Sequence, residues 1–401
     1  MSDHAFELIC NEVNPFYSSH SLSARDWAKE DRDWLVRFAE LNRLRCELVR
    51  NRSEGSPNGD WINEFSPWVR QYTFRVMQMV GEIGAISRAL ERTQLDAVFF
   101  KGAVLGEQIY GGPQNREFAD IDVIVGLEHR DEATKVLAEL GYQPVVRDRL
   151  MRRAFFDYGG QHMHHNAETG STVDLHWRFV GMGPFPLSAE EVLRNRTEIS
   201  LGGARVPVAS VEDLALILAG HGQKEGWASL GWTLDFAKFA AANPAFDWAR
   251  ALARARALKC ERPLLAAFLL VERLFGFAID TEILARAKDQ HQVAAEVKSI
   301  IERYKALAPR GTEDDLGSAS RLCDTRLQRA KVFMALIVTR TIGDYEAMPL
   351  APGLWWIYHI TRPFRLAWRG LLGARRSKST YWLEQAAAAK AGTLVGTKDR
   401  R

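Results

Sequence analysis

Cysteine is scarce in this chain of 401 residues: Cys10, Cys46, Cys260 and Cys323 stand far apart, and no C-x-x-C pair occurs. That excludes a disulfide framework and a thiolate zinc site, and a reducing cytoplasm is the expected setting. Long hydrophobic runs are also missing. Val332 to Val338 is apolar, but Arg340 ends it well short of the roughly 20 residues a membrane span requires. Met1 to Cys10 carries Asp3 and Glu7 and no basic start before an apolar run, so no secretory signal is expected there. Nor is charge of one sign in excess. Lys and Arg number 53 against 50 Asp and Glu, a formal charge of +3, which excludes a global basic field for nucleic acid. What remains, with 47% hydrophobic and 26% charged residues, is the composition of a soluble globular protein of two or three cooperating units.

The chain opens helically. Asp26 to Arg50 repeats apolar residues at helical period, the loop Asn51 to Asp60 breaks it, and Ser66 followed by Pro67 predicts the N-cap and start of a second long helix. From Leu95 the pattern changes. Ala97 to Phe100 reads as a strand, Lys101-Gly102 as a tight turn into a short helix, and Phe118 to Val125 as a second strand. Asp131 to Leu140 is an amphipathic helix, and Gln161 to Asn166 with Thr172 to Phe179 predicts a hairpin. After Val208 helices follow one another, through Val211–Gly220 and Gly231–Ala242 as far as Ser318–Ile342. The expected fold is α+β, in four parts: an N-terminal helical region over 1–92, a small mixed-sheet core over 93–208, a larger helical domain over 209–390 and a disordered tail over 391–401.

The chemistry is concentrated on three acids. Strand alternation points Asp120 and Asp122 to one face, where two carboxylates repel unless a cation sits between them. Oxygen ligands of this kind suit Mg²⁺, which leaves coordination places for water and phosphate. Asp174, flanked by Val173 and Leu175 in the hairpin strand, is a third carboxylate that needs a partner. Three converging acids are what two-metal phosphoryl transfer uses, and Lys101-Gly102 before a helix makes an anion site from backbone N–H groups. Read as single motifs, Asp-x-Asp also fits a solvated strand end, and Arg116 fits either a phosphate clamp or an ion pair with Asp120.

Taken together, Phe100-Lys101-Gly102-Ala103-Val104-Leu105, Tyr110-Gly111, Arg116, Asp120 to Val125, Leu140-Gly141-Tyr142 and Val173-Asp174-Leu175-His176-Trp177 form a recognisable series. His221-Gly222, Trp227, Leu230, Trp232 and Asp235 continue it, as does Arg362 to Leu366. The series resembles the uncharacterised bacterial nucleotidyltransferase family of the DNA polymerase β-like superfamily, over about Leu95 to Leu366. The resemblance implies metal binding and catalysis by Asp120, Asp122 and Asp174, and nucleotide binding by Lys101, Gly102, Ala103, Arg116, His221 and Asp235. It implies Mg²⁺, or Mn²⁺ in its place, and a helical domain closing over the nucleotide. The implied reaction moves a nucleoside monophosphate from an NTP, ATP first among them, to an acceptor hydroxyl or phosphate with release of pyrophosphate. Ala103 stands where the superfamily usually carries serine, so one phosphate contact must come from elsewhere.

Two other activities fit the same residues, an Asp-x-Asp glycosyltransferase using a nucleotide sugar and a non-catalytic nucleotide-binding regulator. His162, His164, His165 and His176 suggest a metal cluster, but alternation separates His165 from His162 and His164. His176 shares a face with Asp174 and could orient it. Finally, 355–378 holds arginines between aromatic residues and no acid, which fits weak contact with an anionic membrane surface or a packed helix with solvated arginines.

Overall fold

The computed structural model describes residues 3–16, 29–51, 59–146, 150, 152–153, 160–179, 187–307, 321–338, 340 and 342–371. The expected tail over 391–401 lies outside them. Seven strands form one mixed sheet: β1 Ala97–Phe99, β2 Ile121–Val125, β3 Tyr142–Pro144, β4 Gln161–Asn166, β5 Thr172–His176, β6 Thr197–Leu201 and β7 Ala204–Val208. Their spatial order is β3-β4-β5-β2-β1-β7-β6. Strands β2 and β5 run parallel in the middle, with Asp122 opposite Asp174 and Ile124 opposite His176. The β4–β5 hairpin is where its sequence predicts it, and the Asn166 side chain accepts the backbone N–H groups of Glu168 and Thr169 in the turn.

Alternation gives the sheet two chemically different faces. Phe99, Val123, Val125, Val173 and Leu175 point into an apolar cluster with the helices Ser66–Arg92 and Arg130–Glu139. The alternate residues Val98, Phe100 and Ile124 face the other way, into the core of the helical body. Asp122, Asp174 and His176 share that second face, so the acids stand between sheet and helices. The described residues of the helices over 3–65 share the core of the later helices. Phe6, Ile9, Phe38 and Trp61 pack in the same cluster as Phe236, Phe268 and Ile300 of the later helices.

Several boundaries depart from the sequence reading. The helix expected over Asp26 to Arg50 is two helices, Lys29–Leu41 and Arg45–Asn51, parted at Arg43 in a left-handed conformation (φ 59°). The break frees Asn42 to accept the Leu230 N–H through its side chain and the Ser229 hydroxyl through its carbonyl. The long helix starts on Ser66 itself and not after it. Strands β6 and β7 have no counterpart in the sequence reading, and their two-residue turn Gly202-Gly203 (φ 58° and 79°) is the geometry that a primed hairpin turn demands. Of the helix expected over Ser318–Ile342, residues 318–320 lie outside the described ones, and the helix Arg326–Val338 follows a start at which Gln328 and Thr325 cap each other.

Candidate active site

Sequence-local geometry builds the phosphate side. Strand β1 ends at Phe99, Lys101 is extended, and Gly102 opens the helix Gly102–Tyr110 with φ +55°. A Cβ on Gly102 would lie 3.1 Å from the Asp120 carbonyl, so the turn can approach the acids only because this residue is glycine. No side chain caps the helix, which leaves its first N–H groups available to an anion. Ala103 is fully buried in the apolar cluster with Phe99 and Phe118. A serine hydroxyl there would need a partner in an apolar setting, so Ala103 offers the site its backbone only.

On the sheet, the tightest group is Asp122, Asp174 and His176, all buried, each offering a ligand atom within 4.8 Å of the others. His176 Nε2 lies 3.0 Å from Asp122 Oδ1 and 3.6 Å from Asp174 Oδ2. Lys101 Nζ is 3.7 Å from Asp122. Burial works against the Asp122 charge, but Lys101 and His176 outweigh it and hold its carboxyl below the usual carboxylate range. Asp174 is shifted upward, by burial first and by Asp122 next. Its Oδ2 accepts a hydrogen bond from Gln161, whereas its Oδ1 is buried with no hydrogen-bond partner. A buried carboxylate oxygen left open beside a second acid is what a cation ligand looks like before the cation binds, so the residues fit a divalent ion.

Asp120 stands outside this group, which differs from the expected triad of Asp120, Asp122 and Asp174. It precedes β2 in a bend and is half-buried, so strand pairing does not set it opposite an acid. It is nonetheless close: burial, Asp122 and Asp174 push its carboxyl up to about 6. The unexpected ligand candidate is His176, two residues beyond Asp174 and therefore on the same face.

A cleft between sheet and helices runs along these groups, lined by Phe100, Lys101, His176, Phe179, Ile217, His221 and Lys224. The last three project from the helix Val211–Lys224, whose N-cap is Ser210. Burial, then Lys101 and Lys224, hold His221 well below the usual imidazole range, so it is neutral. Lys224, lowered by burial and Lys101, donates to Gln161 at 3.4 Å and so joins the cleft wall to the group that holds Asp174. Lys224 and Gln161 are the residues sequence reasoning missed. The spacing His221-x-x-Lys224 puts both on one helix face, and Gln161 is the cross-strand partner of His176.

Two expected nucleotide contacts go elsewhere. Arg116 and Asp235 grip each other through two hydrogen bonds of 2.8 Å, Tyr110 donates to the same carboxylate, and both charged groups are buried. Neither lines the cleft. The pair instead ties the chain before β2 to the helix Leu230–Ala242. The histidines also divide. His162 and His164 pair across the strand with Leu175 and Val173, on the opposite face from Asp174 and His176. Trp227 packs flat on Gly222, where a Cβ would lie 2.4 Å from the indole. Gly222→Ala should therefore cost about 1–3 kcal/mol of overpacking, read as a lower urea midpoint; an unchanged midpoint would show that the ring has room to move.

The mixed sheet, the glycine turn and the facing acids define a nucleotidyltransferase. The sequence profile of a family described as an uncharacterised nucleotidyltransferase matches residues 28–276, and the chain belongs to that family. It is thus an enzyme of the transferase class. No curated protein matches the chain. Among solved structures, the antibiotic-resistance factor ANT(2'')-Ia is similar at 16% identity and a TM-score of 0.33, covering 45% of this chain and 91% of its own.

Proposed function

We propose that the chain transfers a nucleoside monophosphate from an NTP, ATP in the first place, to an acceptor hydroxyl or phosphate and releases pyrophosphate. The observation that carries this reading is the in-register pair Asp122–Asp174 beside an uncapped helix N-terminus. Triphosphate oxygens accept hydrogen bonds from the N–H groups that follow Lys101, and Lys101 balances their charge. Asp122, Asp174 and His176 would hold Mg²⁺ or Mn²⁺, and Asp120 stands as a further carboxylate at the rim. A divalent ion held there would supply neutralisation of phosphate charge and a lower pKa for the acceptor hydroxyl. Asp120, the carboxylate outside the ligand group, takes the acceptor proton. The acceptor oxygen then bonds to the α-phosphorus as the bond from that phosphorus to the bridging oxygen breaks, and pyrophosphate leaves with the electron pair. His221, Ile217 and Phe179 exclude water from the other side. Four buried free cysteines suit a reducing compartment, the cytoplasm.

The test is incubation with each α-labelled NTP, Mg²⁺ and a small-molecule extract of the native host as acceptor pool. A labelled acceptor and an equal amount of pyrophosphate are expected. Release of UDP from a UDP-sugar, with no pyrophosphate from any NTP, would assign a glycosyltransferase instead. Nucleotide binding without release would assign a regulator.

A further inference from the structure

The helix Ile357–Leu371 lies far along the chain from the acids and has a satisfied packing face. Trp355 and Tyr358 are buried with Tyr345, the Tyr358 hydroxyl donates to Met348 and accepts from Leu350, and His359 Nδ1 meets the Val338 carbonyl at 2.7 Å. Arg362 and Arg365 turn inward onto the buried Asp344. They are not the solvated arginines of the packed-helix expectation. The side turned to solvent is apolar: Trp356, Ile360, Phe364 and Trp368 are 58%, 55%, 73% and 64% exposed. Their spacing of four residues makes one stripe about three turns long. The helix Arg326–Val338 beside it exposes Leu327, Phe333 and Met334 as well.

Charge selects the occupant. Between residues 326 and 383 the sequence has ten Lys and Arg and two acids, Asp344 and Glu346; with Arg362 and Arg365 engaged by Asp344 and Arg340 buried, seven cations remain in this segment against Glu346. A second copy of this surface would bring like charges together, whereas anionic lipid headgroups would be attracted to it. Tryptophans at both ends of the stripe suit the boundary between headgroups and acyl chains. No helix among the described residues is long and apolar enough to cross a membrane, so the contact lies in the surface plane. We propose that this face docks the enzyme on an anionic membrane surface, with Trp356, Ile360, Phe364 and Trp368 inserted between headgroups. The proposal is independent of the reaction catalysed.

The experiment uses the full chain and vesicles of phosphatidylcholine, alone or mixed with phosphatidylserine. Sedimentation with the mixed vesicles only, weakening as salt rises, is expected. Brominated acyl chains should quench tryptophan emission in the native chain and much less in a Trp356→Phe, Trp368→Phe variant. A Phe364→Glu, Trp368→Glu variant should bind the mixed vesicles roughly tenfold less or weaker, because two apolar anchors are lost. Its circular dichroism and pyrophosphate release should be unchanged. No sedimentation at low salt, equal sedimentation with neutral vesicles, or full binding by the glutamate variant would overturn the proposal. So would a dimer in sedimentation equilibrium that the same two substitutions abolish, since that would assign the face to a second copy.

Discussion

Asn in place of Asp122 or Asp174 is expected to slow pyrophosphate release by about 10²–10⁴-fold while the fold survives, because each substitution keeps the shape and removes the charge that holds the ion. Asp120→Asn should slow it too. The Asp122→Asn, Asp174→Asn double variant should be scarcely slower than the worse single one, since residues that act as a unit do not lose activity additively. Full activity in any of the single variants, or strictly additive losses, would remove these acids from the site.

The stabilities of the metal-free variants should diverge. Burial and two neighbouring acids disfavour the Asp120 charge, so Asp120→Asn should raise the thermal midpoint. Asp122 is held charged by Lys101 and His176, so Asp122→Asn leaves a half-buried lysine and a buried histidine facing a neutral amide and should lower it. Relief of carboxylate repulsion is thus a property of Asp120 and Asp174 and does not extend to Asp122. Equal shifts in both variants, by differential scanning calorimetry in chelator, would contradict the electrostatic assignment.

The second large effect belongs to Arg116. Arg116→Met should destabilise the protein by about 3–5 kcal/mol, because Asp235 would stay buried with its charge uncompensated apart from the Tyr110 hydroxyl. Asp235→Asn should cost a similar amount by stranding the guanidinium. Combining Arg116→Met with Asp235→Leu should recover much of the loss, since two apolar groups can replace a buried ion pair nearly neutrally. Urea midpoints check all three variants. A single variant of unchanged stability but weakened nucleotide binding would restore Arg116 as a phosphate contact.

Local pattern made the sheet side of the site legible. Strand alternation in β2 and β5 assigns Asp122, Asp174 and His176 to one face, and the Lys101-Gly102 turn falls where an apolar run meets a helical one. What escaped reading depends on partners remote in sequence. Arg116 finds Asp235 across the interface between sheet and helices, and no spacing rule links two residues so far apart. The departure of Asp120 from the ligand group follows from where strand pairing starts, at Ile121, a boundary that alternation does not mark. Arg362 and Arg365 read as solvated because Asp344, the acid that draws both inward, precedes the acid-free stretch. By contrast, Gly202-Gly203 between Leu201 and Ala204 is a local hairpin signal that the stronger helical pattern after Val208 obscures.

The most direct test of the central claim is calorimetry of a non-hydrolysable ATP analogue, titrated into the native chain with Mg²⁺, into the native chain in chelator, and into the Asp122→Asn, Asp174→Asn variant with Mg²⁺. Binding to the native chain that depends on the ion, and that falls at least about tenfold in both other titrations, is the predicted result. The same affinity in all three would contradict a nucleotide site built on these acids.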